Sequence, residues 1–128
     1  DRSLGTILID EFAAAALNGQ MRNADARDLL PQVLLITQDL DAPDQARAKL
    51  HKAMGYALIG KTGPADVDFD AVALNDARQS LDHLQRALAL FDQVGVKKDI
   101  ERLERRLKKP DAPPRRNDSG PRNPDGSG

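Results

Sequence analysis

Only a few side chains in this sequence are of types that do chemistry, and their spacing decides which chemistry is open to them. Asp66, Asp68 and Asp70 alternate in DVDFD, as the first ligands of a calcium loop do. That loop also needs Gly at its sixth position and Glu at its twelfth. Ala71 and Ala77 stand there, so the segment reads as a solvated loop whose last aspartate caps a helix. His51 and His83 are the two histidines of the chain. Neither has a second histidine or a carboxylate at the spacing of an H-E-x-x-H helix, so both read as surface or packing residues. Ser3, Ser80, Ser119 and Ser127 lie in no G-x-S-x-G context, and no G-x-x-x-x-G-K-[ST] phosphate loop is present. The chain has no Cys, which excludes a thiol nucleophile, a thiolate metal site and a disulfide framework. No pair of carboxylates sits in an apolar setting that would shift its pKa. The residues therefore predict a protein that is not an enzyme, with no catalytic residue, metal site or cofactor.

Composition narrows the partners. Of 128 residues 40% are hydrophobic but only 3% aromatic, so the core must be Leu, Ala, Val and Ile, which suits close-packed helices. Charge is unevenly spread. Residues 1–96 carry nine Lys or Arg against fourteen Asp or Glu, and residues 97–128 carry ten against six. The basic end contains no aromatic residue for base stacking and no helix-turn-helix signature, which argues against nucleic acid as the partner. No apolar run is long enough to span a bilayer. The chain starts at Asp1 without Met, as a processed or excised chain would. A soluble protein is expected, the cytoplasm favoured over the periplasm or secretion.

The elements that must position these residues are helical. The dominant stretch runs from Asp70 to Gly95, where Leu74, Ala77, Leu81, Leu84, Leu88 and Phe91 recur at steps of three and four and share one helix face. Asp70 is expected to cap it and Gly95 to end it. An i,i+4 pair of Asp82 and Arg86 on its polar side is worth only about 0.2–0.5 kcal/mol. Before it, Ser3 can cap a helix through Leu17 with Leu4, Leu8, Phe12 and Ala15 as its face, stopped by Asn18-Gly19. A second helix starts at Asp25 or later and contains Pro31; Leu30, Val33, Ile36 and Leu40 carry its period. A third spans Pro43 to Ile59, with Gly55 inside it to admit a close neighbour. A fifth spans Lys97 to Lys108, its stripe being Val96, Ile100, Leu103 and Leu107. From Pro110 the chain has no apolar residue larger than Ala or Pro and reads as a disordered Pro/Gly/Arg-rich tail. Its Pro110–Arg115 spacing is of a kind an SH3 domain accepts, as proline-rich tails often show by chance. The domains are thus 1–109, helical, and 110–128, tail.

Two stretches align at an offset of 51, Ala26-Arg27 on Ala77-Arg78, and the layout is helix pair, helix pair, closing helix. Met54-Gly55 with Leu58, then Ser80, Leu84 and Ala87, and the junction-like run from Arg86 to Leu107 resemble a tetratricopeptide repeat (TPR). Gly55 and Ser80 are 25 positions apart, where that repeat has about 12, so a loop would be inserted. The resemblance implies antiparallel helical hairpins stacked behind a concave face, and it places Gln45, Lys49, Lys52 and Tyr56 on that face. Tyr56, the one tyrosine, either anchors a partner or packs beside Gly55. The alternative architecture is an irregular five-helix bundle.

The sequence thus predicts an all-α, TPR-like, non-catalytic module, an adaptor or scaffold that binds a protein or peptide. A second reading is a self-associating bundle, a homodimer or assembly domain, favoured by a first helix that is apolar nearly all round. A third, nucleic-acid binding through the basic end, ranks below both.

Overall fold

The computed structural model describes residues 3–63 and 66–109. These residues are all-α, with five helices and no strand among them: α1 (Leu4–Leu17), α2 (Asn23–Thr37), α3 (Asp44–Leu58), α4 (Leu74–Leu90) and α5 (Lys97–Lys108), plus one 3-10 turn at Phe69–Ala71. The tail expected to be disordered, with its SH3-type spacing, lies outside the described residues, as does Pro64 of the loop before α4.

The helix on which the fold turns is α3 rather than the long stretch from Asp70 to Gly95. It packs on α1, α2 and α4, whereas α4 packs on α3 and α5. Eight of its fifteen residues are buried, and it forms a wall of both hydrophobic cores. Ala46, Leu50, Ala53, Met54 and Ala57 join Ile9, Ala13, Leu30 and Val33 in the first. Tyr56 and Ile59 join Leu84, Val96, Ile100 and Leu103 in the second. A helix with this many buried alanines and a buried glycine can approach neighbours on three sides without a large side chain holding them off.

Local chemistry sets the helix ends. The Ser3 hydroxyl accepts from the Thr6 N–H at 3.2 Å and starts α1 as its sequence predicts. The face that α1 buries differs from the expected one. Gly5, Ile9, Ala13 and Ala16 are buried, while Leu4 is 61% and Ile7 46% exposed. The small residues turn inward because the backbone of α1 comes close to the Leu40–Asp41 turn at Gly5. On α2, Leu30 and Val33 are buried as expected, but Ile36 is 61% exposed and Thr37 takes the inner place. Its hydroxyl donates to the Val33 carbonyl at 2.7 Å. The helix starts at Asn23, earlier than expected, and runs through Pro31, which lies on its exposed side. Further along, α4 is shorter than its periodicity suggests. Asp68 accepts from the Asp70 N–H at 3.1 Å and draws that residue into the 3-10 turn, so Ala73 stands at the start of α4 with no side-chain cap. At the other end Phe91 is already extended, and Gly95, at φ 85°, serves the link to α5.

Gly55 admits its neighbour as expected. A Cβ there would stand 2.8 Å from Leu84 Cδ2 and 3.2 Å from the Ser80 carbonyl, and the buried Ser80 hydroxyl donates to the Gly55 carbonyl at 2.7 Å. Two effects oppose each other in Gly55→Ala: alanine gains about 1 kcal/mol of helix propensity, while overpacking costs about 1–3 kcal/mol. Because Leu84 is fully buried, the clash wins, and the variant should unfold at lower urea than the parent. An unchanged or higher midpoint would show that α3 and α4 part freely.

Candidate functional site

Lys49, Lys52 and Tyr56 are separated by three and four residues and so share one face of α3. The structure brings them to one open hollow of about 370 Å³, where Lys61, Asn18 and Gly63 join them. Gln45 is one turn away and exposed, beside a separate shallow hollow that Lys49 also borders. Tyr56 is only 5% exposed and its ring belongs to the second core. Its hydroxyl donates to the Asp99 carboxylate. Burial, and then that bond, push its phenol pKa up beyond the ordinary range. Two lysines lie over the ring: the ammonium of Lys61 is 5.1 Å and that of Lys52 5.9 Å from its centroid. Lys52 donates to the Val94 carbonyl at 3.0 Å, and Lys49 pairs with Asp10 at 3.7 Å. Burial, and then the charge of Lys61, hold the Lys52 ammonium below its usual pKa. Lys61, Asp99 and Asn18 are members of this site that sequence reasoning missed. They come from other elements, so no spacing along α3 points to them.

The packing of α3 on α4 makes a second cluster. His51 and His83 stack with ring centroids 5.3 Å apart and Nδ1 atoms 3.0 Å apart. One ring must donate and the other accept, which requires at least one neutral imidazole. Burial, followed by the facing His83 and Arg86, lowers the His51 pKa to about 4. His83 is lowered as well, first by burial, with Asp82 acting against and Arg86 with that shift.

The basic end is partly spent inside the fold. Arg106 is 6% exposed and donates to the Val72 carbonyl at 2.9 Å. Arg102 pairs with Asp66 at 3.2 Å, and Lys109 with Asp70 at 3.0 Å. The DVDFD segment therefore faces α5 and balances part of its charge. First the backbone N–H of Val67 and then Arg102 hold Asp66 below its usual pKa. Asp70, expected to cap α4, holds Lys109 instead.

No family model matches the chain, and no solved structure matches it. It is similar to a protein of Escherichia phage P2, "Terminase, endonuclease subunit", with 42% identity over 116 residues. The match covers 88% of this chain but 41% of the relative, so the chain spans about two fifths of that protein's length. This likeness overturns the reading as a non-catalytic peptide-binding adaptor or self-associating bundle, and with it the expectation that the protein is not an enzyme. The argument against nucleic acid as a partner loses its support too. They rested on a repeat resemblance, an apolar first helix and the absence of short motifs, all of which are silent about groups that tertiary packing or a longer chain brings together. No helix among the described residues is long and apolar enough to cross a membrane.

The histidine pair makes stability depend on pH with a definite sign. In the unfolded chain both imidazoles take up protons as pH falls through about 6.5, while the folded pair refuses them until about pH 4 at His51. The unfolded state binds more protons in that window, so stability falls as the pH drops. The unfolding free energy from urea titrations between pH 7.5 and 5 should decline by on the order of 1 kcal/mol once solvent screening of the partly exposed rings is allowed for. His51→Gln should flatten most of that decline. An equal decline in the variant would assign the pH dependence elsewhere.

Proposed function

We propose that this chain is the helical portion of a terminase endonuclease subunit and serves an enzyme that cuts DNA as one subunit of an assembly. The observation that carries this reading is the 42% identity, which extends over 116 residues, nearly the whole chain, rather than over a short motif. Two features of the surface agree with it. A hollow bordered by three lysines suits a polyanionic substrate. Leu4 and Ile7 on α1, and Leu35 and Ile36 on α2, are 46–65% exposed, which suits contact with other chains of such an assembly or with the rest of the subunit. Within this reading the helices follow the plan of a TPR-like array. The buried contact of Gly55 with Ser80 and Leu84 supports that plan, since these are the residues that carry the resemblance.

The test is a chimera of the phage P2 subunit in which this chain replaces the stretch it matches. Terminase carrying the chimera should still cut plasmid DNA. A chimera that folds and assembles, yet leaves the plasmid intact, would overturn the reading.

A further inference from the structure

The lysines around the Tyr56 hollow are not explained by the fold alone. Basic side chains often sit near helix C-termini because carbonyls there lack partners. Here the ends of α1 and α3, which border the hollow, are already closed by backbone. Asn18 N–H donates to the Ala14 carbonyl at 2.9 Å, and Gln20 N–H to that of Ala15 at 2.8 Å. Gly60 N–H donates to the Ala57 carbonyl at 3.2 Å, and Lys61 N–H to that of Tyr56 at 2.8 Å. Lys52 spends one of its three donors on Val94, and Lys61 stands over the Tyr56 ring, its charge reaching Asp66 through space. The Tyr56 ring between them is fixed by its bond to Asp99 and by burial in the second core. Three ammonium groups are therefore held towards one open hollow of about 370 Å³, with Asp10 engaging Lys49 and Asp99 engaging Tyr56. After burial, the like charge of Lys61 lowers the Lys52 pKa and that of Lys49 adds to it, while Asp99 acts against them.

We propose that Lys49, Lys52 and Lys61 form a phosphate-binding site beside Tyr56. The phosphate comes either from a polynucleotide backbone or from a small phosphorylated ligand. Lysine suits either source, as a compact charge with three rotatable donors. The site deepens the DNA-cutting reading above if the backbone is the source, but its geometry does not depend on that reading.

The experiment is an NMR titration of the ¹⁵N-labelled full chain with three probes: inorganic phosphate, adenosine monophosphate and a 20-base-pair DNA duplex. Saturable amide shifts are expected around Asn18, Lys49, Lys52 and Lys61. Lys61→Gln and, separately, Lys49→Gln should weaken binding at least fivefold, while Arg22→Gln, on an exposed arginine that does not line the hollow, should not. Tighter binding of duplex than of the nucleotide, with a salt slope that falls by about 0.9 in Lys61→Gln, supports the site and assigns it to the backbone. Tighter binding of the nucleotide supports the site and assigns it to a small ligand. No saturable shift with any probe, equal affinity in the lysine variants, or duplex shifts confined to α5 would overturn the site. Confinement to α5 would leave the DNA-cutting reading standing. Phosphate binding together with an inactive chimera would keep the site and remove that reading.

Discussion

The close approach of α3 and α4 at Gly55 is the contact on which the rest of this structure depends. With no Cβ at position 55, Leu84 packs directly onto the backbone of α3, and the Ser80 hydroxyl satisfies itself on the Gly55 carbonyl without leaving a buried donor open. This contact fixes the rotation of α3. One side of the helix then belongs to the core shared with α1 and α2, and another to the core shared with α4 and α5. The same rotation turns His51 onto His83, aims the Tyr56 hydroxyl at Asp99 on α5, and leaves Lys49 and Lys52 on the open side. A single small residue thereby sets both the stability of the middle of the molecule and the arrangement of its polar groups.

Charge is distributed in a way that a count along the chain does not show. Of the strongest run of basic residues, on α5 and just after it, Arg102 and Lys109 are held by the DVDFD segment and Arg106 by the Val72 carbonyl. The lysines of the Tyr56 hollow are scattered over α3 and the loop after it, where Lys49 pairs with Asp10 and Lys52 donates to the Val94 carbonyl. Surface ion pairs such as Arg102–Asp66 contribute little to stability, typically about 0–1 kcal/mol. Their effect here is on potential, because they remove positive charge from the face where it is densest in sequence. The unevenness between residues 1–96 and 97–128 is thus reduced by the fold itself. The Tyr56 hollow, bordered by Lys49, Lys52 and Lys61, is a second place where the fold gathers basic side chains.

The sequence by itself determined the helical class, the limits of α1, α3 and α5 to within a residue or so, the Ser3 cap, the Asp82–Arg86 pair (2.9 Å) and the close contact at Gly55. Each of these follows from spacing within about ten residues, where helical geometry makes position along the chain equivalent to position on a face. Tertiary structure decided what periodicity leaves open. On α1 and the second half of α2 nearly every side is apolar, so periodicity cannot choose a buried face. Contact with the Leu40–Asp41 turn and with α3 chose Gly5, Ile9 and Ala13, and left Leu4, Ile7 and Ile36 outside. The His51–His83 pair and the meeting of Lys61 with Lys49, Lys52 and Tyr56 join residues up to 32 positions apart on different elements. No local pattern encodes such contacts, because they depend on the angle and depth at which the helices pack.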